Sequence, residues 1–191
     1  MMLLAVTDHF FYLDGGHTLD FHNKAFESLQ LVGSELKVRV LASLVPLLSD
    51  PTRSEELHQW QAPTNLVAPL KEAFGRLERY GHETWRPLDS EEEEKVLQTL
   101  LDDKPLVMIS LLSEVLASGG DPVRLAQLVA LAAAERIVRF HTQNDFGDWI
   151  AVLHTFTHAH AVHESLKRST PPLLFRSIFL QRRQRLSGPV P

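Results

Sequence analysis

One long apolar segment, residues 123–140, limits most strongly how this chain can fold. Its sequence, VRLAQLVALAAAERIVRF, is apolar around most of a helical circumference. The charged residues Glu135, Arg136 and Arg139 fall within a single sector of about 100°. Such a helix needs neighbours on nearly every side, and its few charges need partners. The segment therefore predicts an all-α fold, a helical bundle with this helix at its centre.

Helical periodicity, interrupted by glycine and proline, divides the rest of the chain into further helices, about eight in all. No stretch shows the period-two alternation of a strand, and no internal repeat is present. The pattern predicts one all-helical domain over residues 1–186 and a disordered tail at 187–191. Eight longer helices are predicted at residues 2–13, 18–33, 34–48, 63–79, from 90 onward, 105–118, 123–140 and 149–167, and two short ones at 54–60 and 173–183. In the helix at 63–79, one face carries Leu66, Leu70, Phe74 and Leu77.

Capping signals place several of these helix ends. Thr18 and Asp148 are predicted N-caps, and Ser90 followed by Glu93 is a candidate capping box. Pro105 suits a first helical position, and Asp121 before Pro122 is a predicted cap of the next helix. Pro46 lies inside an otherwise helical pattern, so we expect it to kink or shorten that helix.

Composition excludes several classes of protein. The 191 residues carry a net charge of −5, which argues against the basic surface that nucleic-acid binding needs. No uncharged apolar stretch reaches the roughly 18–20 residues of a membrane span, and no signal peptide is recognisable. The chain has no cysteine, so it cannot hold an iron–sulfur cluster alone. We therefore expect a cytoplasmic protein that contacts neither nucleic acid nor membrane.

A histidine-rich segment, residues 135–166, is the most promising place for a site. It contains five of the ten histidines: His141, His154, His158, His160 and His163. A helical wheel separates the last four into two pairs on opposite sides. His160 and His163 fall on the broad apolar side, which favours core histidines satisfied by hydrogen bonds over metal ligands. His154 and His158 lie beside small residues. Three environments stay open for this pair: a solvated face, a metal-free polar pocket, or a metal site.

A metal site would need more than either pair. A catalytic iron or zinc takes three protein ligands and an open position, and no glutamate follows His154 as a zincin motif requires. The further ligand would come from Glu135, from the loop before the last long helix, or from a polar patch at residues 17–27. We predict a divalent metal, iron or zinc, bound by His17, His141, His154 and His158.

The polar patch at residues 17–27 reads HTLDFHNKAFE. Its dense polar residues suit a plain helix cap, or an anion held by the free N–H groups of a helix start. We expect folding to carry this patch against the histidine-rich segment, so that both line one internal polar pocket. There a histidine would shuttle protons or bind the metal, and Asp145 or Asp148 would orient it.

Three stretches carry a resemblance to known proteins: GHTLDFHNKAFESL, VLASLVPLL, and RFHTQNDFGDW followed by HTFTHAHAVHESL. They resemble a helical region of bacterial proteins that also carry a Rieske-type two-iron two-sulfur domain, and more loosely the questin oxidase-like group. The resemblance implies an oxidoreductase-related helical domain, here a shortened member. Its polar residues of interest would be His17, Asp20, Asn23, Lys24, His141, Asn144, Asp145, Asp148, His154 and Thr155.

The resemblance leaves the cofactor and partner open. A Rieske cluster needs two cysteines, so any such cluster must belong to another domain or chain. One expectation is therefore an oxidoreductase-related domain with a His/Asp-lined pocket. The alternative is a non-catalytic module that docks a redox partner domain, holds a small apolar molecule, or forms a homo-oligomer. An inactive fragment is a third possibility.

Overall fold

The protein is described by a computed structural model that covers residues 2–7, 16–49, 56–77, 80, 84–102 and 104–179. The fold is all-α, as the sequence predicts, and these residues contain no β-strand. The α-helices, in chain order, are α1 Met2–Val6, α2 His17–Val32, α3 Lys37–Ser43, α4 His58–Gln61, α5 Val67–Leu77, α6 Ser90–Leu101, α7 Pro105–Ala117, α8 Pro122–Arg139, α9 Phe146–Arg168 and α10 Arg176–Phe179. Short 3₁₀ turns occupy Ser34–Leu36, Val45–Leu48 and Pro172–Phe175.

Proline and glycine place several helix ends where the sequence predicts them. Pro105 stands at the start of α7, where its missing N–H would have no partner anyway. Pro46 ends the helical pattern after α3 and starts a 3₁₀ turn. Helix α2 stops at Gly33, and Asp121 caps α8 by accepting from the Val123 N–H at 2.8 Å. These predictions are confirmed.

The capping box of α6 lies one residue earlier than predicted. Asp89, not Ser90, accepts from the Glu92 N–H at 2.9 Å, and Glu92 accepts from the Asp89 N–H at 3.2 Å. Glu93 is instead occupied by Arg124 of α8, with both guanidinium bonds at 2.6 Å. Both glutamates pair with an arginine, so these ion pairs do not explain the position of the box.

Two other predicted caps are wrong. Asp145 caps α9 by accepting from the Asp148 N–H at 3.0 Å, so that α9 begins at Phe146 and Asp148 lies in its first turn. Helix α2 has no side-chain cap: it begins after Gly16, and Thr18 is a buried helical residue. Gly16 takes this place because the chain there is left-handed and close to α9.

Helix α8 lies at the centre of the bundle, as predicted, with α9 on one side and α6 on another. The predicted pair of Glu135 and Arg139 is present near its end, where Arg139 is largely exposed. Predicted core positions on α5 are also confirmed, since Leu70, Phe74 and Leu77 are buried. The buried residues of α8 are Pro122, Leu125, Ala126, Leu128, Val129, Ala132 and Ala133.

The C-terminal helical segment closes the core. Phe175 and Phe179 are fully buried and make edge-to-face contacts with Trp85 and Phe74. The rest of the predicted helix to residue 183 and the predicted tail lie outside the described residues. The same holds for parts of the predicted helices at residues 2–13 and 54–60.

Helix α3 and the turns beside it are mostly exposed. Of the apolar residues that share helical spacing there, Leu44 is buried, Val40, Leu41 and Leu48 are half-buried, and Leu36 is 43% exposed. Val38, which lies outside that set, is 81% exposed. The spacing thus predicts which side faces the protein, but not how much of that side reaches the core. No described helix is both long and apolar enough to cross a lipid bilayer.

Candidate functional site

Helix α2 lies along α9. Two of the three facing pairs are polar on both sides, and the third places a glycine on a histidine. The facing pairs are Gly16 and His158, His17 and His154, and Asn23 and Arg168. We call this boundary the α2–α9 seam.

The stripe of α9 that faces α2 combines histidines with small residues. His154, His158, Ala161, Ser165 and Arg168 are spaced three or four apart and share one side of the helix. Ala161 and Ser165 are fully buried. Their short side chains leave room for the backbone of α2, so the side that the wheel left open to solvent is an interface.

Gly16 and His158 make the closest contact of the seam. Gly16 has φ +85°, and a Cβ built on it would lie 2.9 Å from the Cβ of His158. His158 is 1% exposed, and its burial lowers its pKa to about 4. The imidazole is therefore neutral near pH 7, and the solvated-face interpretation is wrong for His158.

His17 and His154 bring together two predicted site residues from opposite ends of the chain. Their ring centroids are 4.4 Å apart and the rings meet edge to face at 69°. Both side chains are half-buried. The polar patch at residues 17–27 therefore does lie against the histidine-rich helix, at the level of His154.

The predicted site residues before α9 lie elsewhere. His141 is exposed, and Asn144 donates to its carbonyl oxygen at 3.0 Å. Asp145 and Asp148 serve the helix start. At the helical rise, Asp145 and His154 are separated by about 13 Å along the axis. The predicted pocket residues thus form two groups, a loop group and a seam group, and their functional roles stay predictions.

The remaining predicted residues hold the seam together. Asn23 is fully buried, accepts from Arg168 at 2.7 Å and donates to Glu27 at 2.8 Å. Lys24 is exposed and pairs with Glu27 at 2.9 Å. The Thr155 hydroxyl donates to a backbone carbonyl one turn earlier, at 3.0 Å. These contacts are structural ones.

His22, in the patch from which a further metal ligand was expected, is a second fully buried imidazole. Its Nδ1 lies 2.6 Å from the Thr18 carbonyl oxygen, and since that oxygen can only accept, Nδ1 carries the proton. Nε2 is buried and has no hydrogen-bond partner among the described residues. Burial lowers the pKa of His22, so this imidazole also stays neutral.

His160, His163 and Glu164 form a group that can hold a metal ion. One ligand atom from each lies within 4.8 Å of the others, and all three side chains are half-buried. His163 Nδ1 is 3.4 Å from Glu164 Oε1. The sequence interpretation assigned both histidines to the core. The spacing of His160, His163 and Glu164 at i, i+3 and i+4, which shares one helix face, was the signal that it missed.

The protonation states in this group suit metal binding. Burial lowers the pKa of His163, so its imidazole is neutral near pH 7. Burial pushes the pKa of Glu164 upward, but the hydrogen bond from Lys167 and its charge outweigh this and leave the pKa lowered. A neutral imidazole and an ionised carboxylate are the forms that bind metals.

The four predicted metal ligands do not converge in the part of the chain that the structure describes. Among those residues, the group of at least three ligand atoms within 4.8 Å is the one at His160, His163 and Glu164. His17 contacts His154, but His141 lies in the exposed loop.

A groove between α5 and α7 is another concave feature, with a volume of about 370 Å³. Its polar side chains already satisfy one another: Arg76 pairs with Glu72, and Ser110 donates to Glu114 at 3.0 Å. Since no polar group there needs a ligand, the seam remains the stronger candidate.

Arg168→Met is expected to lower the free energy of unfolding by about 1–2 kcal/mol. The change removes a charged donor from the buried Asn23 amide and a cation–π contact over the Phe26 ring, 5.5 Å away. Urea unfolding monitored by circular dichroism measures the difference. Arg139→Met, which removes an exposed ion pair, should cost less than about 0.5 kcal/mol. Equal losses would contradict the role given to Arg168.

Comparison with known proteins does not assign the chain to a family. No family model, no curated protein and no solved structure matches the chain. The resemblance to Rieske-associated and questin oxidase-like proteins therefore stays a prediction.

Proposed function

We propose that this chain is an oxidoreductase-related helical domain that holds one divalent metal ion on His160, His163 and Glu164. The observation that carries the proposal is the convergence of two imidazole nitrogens and one carboxylate oxygen within 4.8 Å. Two histidines and one carboxylate form the ligand set of non-haem iron enzymes and of several zinc enzymes. Iron or zinc held by three such ligands keeps positions open for a substrate.

Placement of the group on a half-buried part of α9 supports the proposal. The three side chains are half-buried, so they are partly shielded yet reachable from solvent, and burial lowers the pKa of His163. His17 and His154 lie on the α2–α9 seam, and His154 precedes His160 by about 9 Å along the helix axis and about 120° around it. In this proposal they carry protons to and from the site, a role to which imidazole is well suited.

Metal binding by protein without a histidine tag tests the proposal. The purified chain is stripped with chelator and titrated with Co²⁺, Fe²⁺ and Zn²⁺, and bound metal is counted by elemental analysis. We expect about one equivalent per chain. His160→Ala/His163→Ala should lower the affinity by more than about 100-fold, because loss of an outer partner alone costs about 10–100-fold.

The matched control removes two histidines that lie away from the group. His58 and His141 are both exposed, so His58→Gln/His141→Gln should bind metal as the wild type does. A different result would move the site to the ligands predicted from sequence. In that result, His58→Gln/His141→Gln or His154→Gln loses metal binding, whereas His160→Ala/His163→Ala retains it. A wild-type chain that binds no metal would overturn the proposal.

A second candidate function is favoured by the exposed apolar surface around α3. Leu31, Val38 and Val45 are each more than half exposed, which is typical of a surface that docks a partner. A non-catalytic module of this kind would stabilise a partner without any metal. This second function would be favoured if the chain bound no metal and if added metal left the free energy of unfolding of the isolated chain unchanged.

A further inference from the structure

Lys167, in the last turn of α9, reaches back along the helix to Glu164, one of the proposed metal ligands. Its Nζ donates to Oε1 of Glu164 at 3.0 Å and to Oε2 at 3.1 Å. The ammonium group therefore stands in front of the carboxylate and contacts both of its oxygens. The Lys167 side chain is 51% exposed, so it can swing into solvent without disturbing the core.

A metal ion on Glu164 would meet this ammonium at short range. A carboxylate oxygen binds zinc at about 2.0–2.2 Å, and Nζ of Lys167 lies 3.0 or 3.1 Å from the same oxygen. The two cations would then be no more than about 5 Å apart, whichever oxygen the metal takes. Their repulsion is twice that between two single charges, because the metal ion is divalent. Lys167 must therefore leave Glu164 when the metal binds.

The next basic residue, Arg168, is not placed to do the same. Its guanidinium is turned towards α2, where it donates to Asn23 at 2.7 Å and lies over the Phe26 ring. Lys167 instead follows His160 by seven residues, which puts both on one side of α9. The cation that contacts the ligand group is thus Lys167.

We infer that Lys167 regulates the metal site by competing with the metal ion for the Glu164 carboxylate. This inference rests on the proposed metal function and describes how that same site is regulated. In the metal-free chain the ammonium neutralises Glu164, and in the loaded chain the metal does so while Lys167 is released to solvent. Because the empty site has a cation of its own, loss of the metal leaves no half-buried carboxylate unpaired. The site is therefore suited to exchange its metal.

Lys167→Met tests the inference in the full chain, with Co²⁺ as the probe. We expect the affinity for Co²⁺ to rise about 3–10-fold, since an exposed ion pair shifts an equilibrium by up to about fivefold and a divalent ion is repelled more strongly. Lys167→Arg keeps the charge and should not bind Co²⁺ more tightly than the wild type does. A lower affinity in Lys167→Met would make Lys167 a support for the ligand Glu164, and this result would overturn the inference.

Lys24→Met is the matched control. Lys24 on α2 pairs with Glu27, also three residues away, at 2.9 Å, and the two lysine side chains are 52% and 51% exposed. We expect Lys24→Met to change the affinity for Co²⁺ by less than about twofold. An equal rise in the two variants would reduce the effect to one of net charge and overturn the inference.

Release of Lys167 from Glu164 is measured by chemical labelling. The wild type is treated with acetic anhydride with and without Zn²⁺, and the acetylation of each lysine is read by mass spectrometry. Zn²⁺ should increase the labelling of Lys167 and leave that of Lys24 unchanged. Labelling of Lys167 that does not respond to bound Zn²⁺ would contradict the proposed exchange of cations.

Failure of the inference is distinguishable from failure of the metal site. If Lys167→Met binds Co²⁺ as the wild type does, while His160→Ala/His163→Ala loses it, the metal site stands and the competition is refuted. A wild type that binds no Co²⁺, Fe²⁺ or Zn²⁺ overturns both.

Discussion

Gly16→Ala is expected to lower the free energy of unfolding by roughly 2–5 kcal/mol. A left-handed alanine costs about 1–2 kcal/mol, and overpacking of a tight contact costs about 1–3 kcal/mol more. The added methyl group would lie 2.9 Å from the Cβ of His158, an atom that cannot move unless α9 moves. We therefore expect α2 to shift away from α9. Urea unfolding measures the loss, and NMR titration of His158 measures the shift, as a rise of its pKa from about 4.

Two other glycines provide controls for this prediction. Gly33 also has a positive φ, of 82°, but a Cβ there would meet nothing within 4 Å. Gly33→Ala should therefore cost backbone strain only and leave the pKa of His158 unchanged. Gly75 is helical and open, so Gly75→Ala should stabilise the protein by up to about 1 kcal/mol. A Gly16→Ala variant with a wild-type His158 titration would contradict the close packing of the seam.

Acidification from pH 7 to pH 4 is expected to remove about 3 kcal/mol of stability through His158. Burial lowers the pKa of His158 from 6.5 to about 4, so the unfolded chain binds a proton in this window and the folded chain does not. Stability is fully present above pH 6.5, falls as the pH drops, and levels off near pH 4 for this group. His22 and His163, whose pKa values burial also lowers, add to the loss.

Comparison of variants separates the contribution of His158 from that of other groups. Stability is measured by urea unfolding at several pH values, and the slope between pH 6.5 and pH 4.5 is the observable. His158→Gln should flatten this slope whatever it does to the stability at pH 7, whereas His141→Gln, at an exposed position, should leave it unchanged. The carboxylates of Glu92 and Glu93, whose pKa values their arginine partners lower, contribute below about pH 4.5. An unchanged slope in His158→Gln would contradict the burial of this imidazole.

Local signals carried most of the helix predictions. Pro105 and Asp121 act on backbone groups within a few residues, so their effects could be derived without knowledge of the fold. The same reasoning failed for the cap of α6, where Asp89 and Glu92 form the capping box and Glu93 pairs with Arg124 of another helix. The burial of Leu70, Phe74 and Leu77 followed from periodicity, whereas the extent of burial of α3 depends on which helices lie beside it.

The candidate site was predicted only in part. Residues 17–27 do approach the histidine-rich helix, since His17 meets His154. The helical wheel left a solvated face, a polar pocket or a metal open for His154 and His158 and favoured the core for His160 and His163. The structure buries His158 and leaves His160 and His163 half-buried. A helical wheel orders residues around an axis, but it does not say which side another helix will cover.

The sequence by itself determined the all-α class, the central apolar helix and the concentration of histidines on α9. Those properties follow from hydrophobic spacing and from residue type, which act within one segment. Tertiary structure alone decided which imidazoles are buried, whereas the gathering of His160 and His163 with Glu164 follows from their spacing on one helix. The deciding event for His158 is the close approach of Gly16, because it sets the distance between α2 and α9 and so encloses the imidazole.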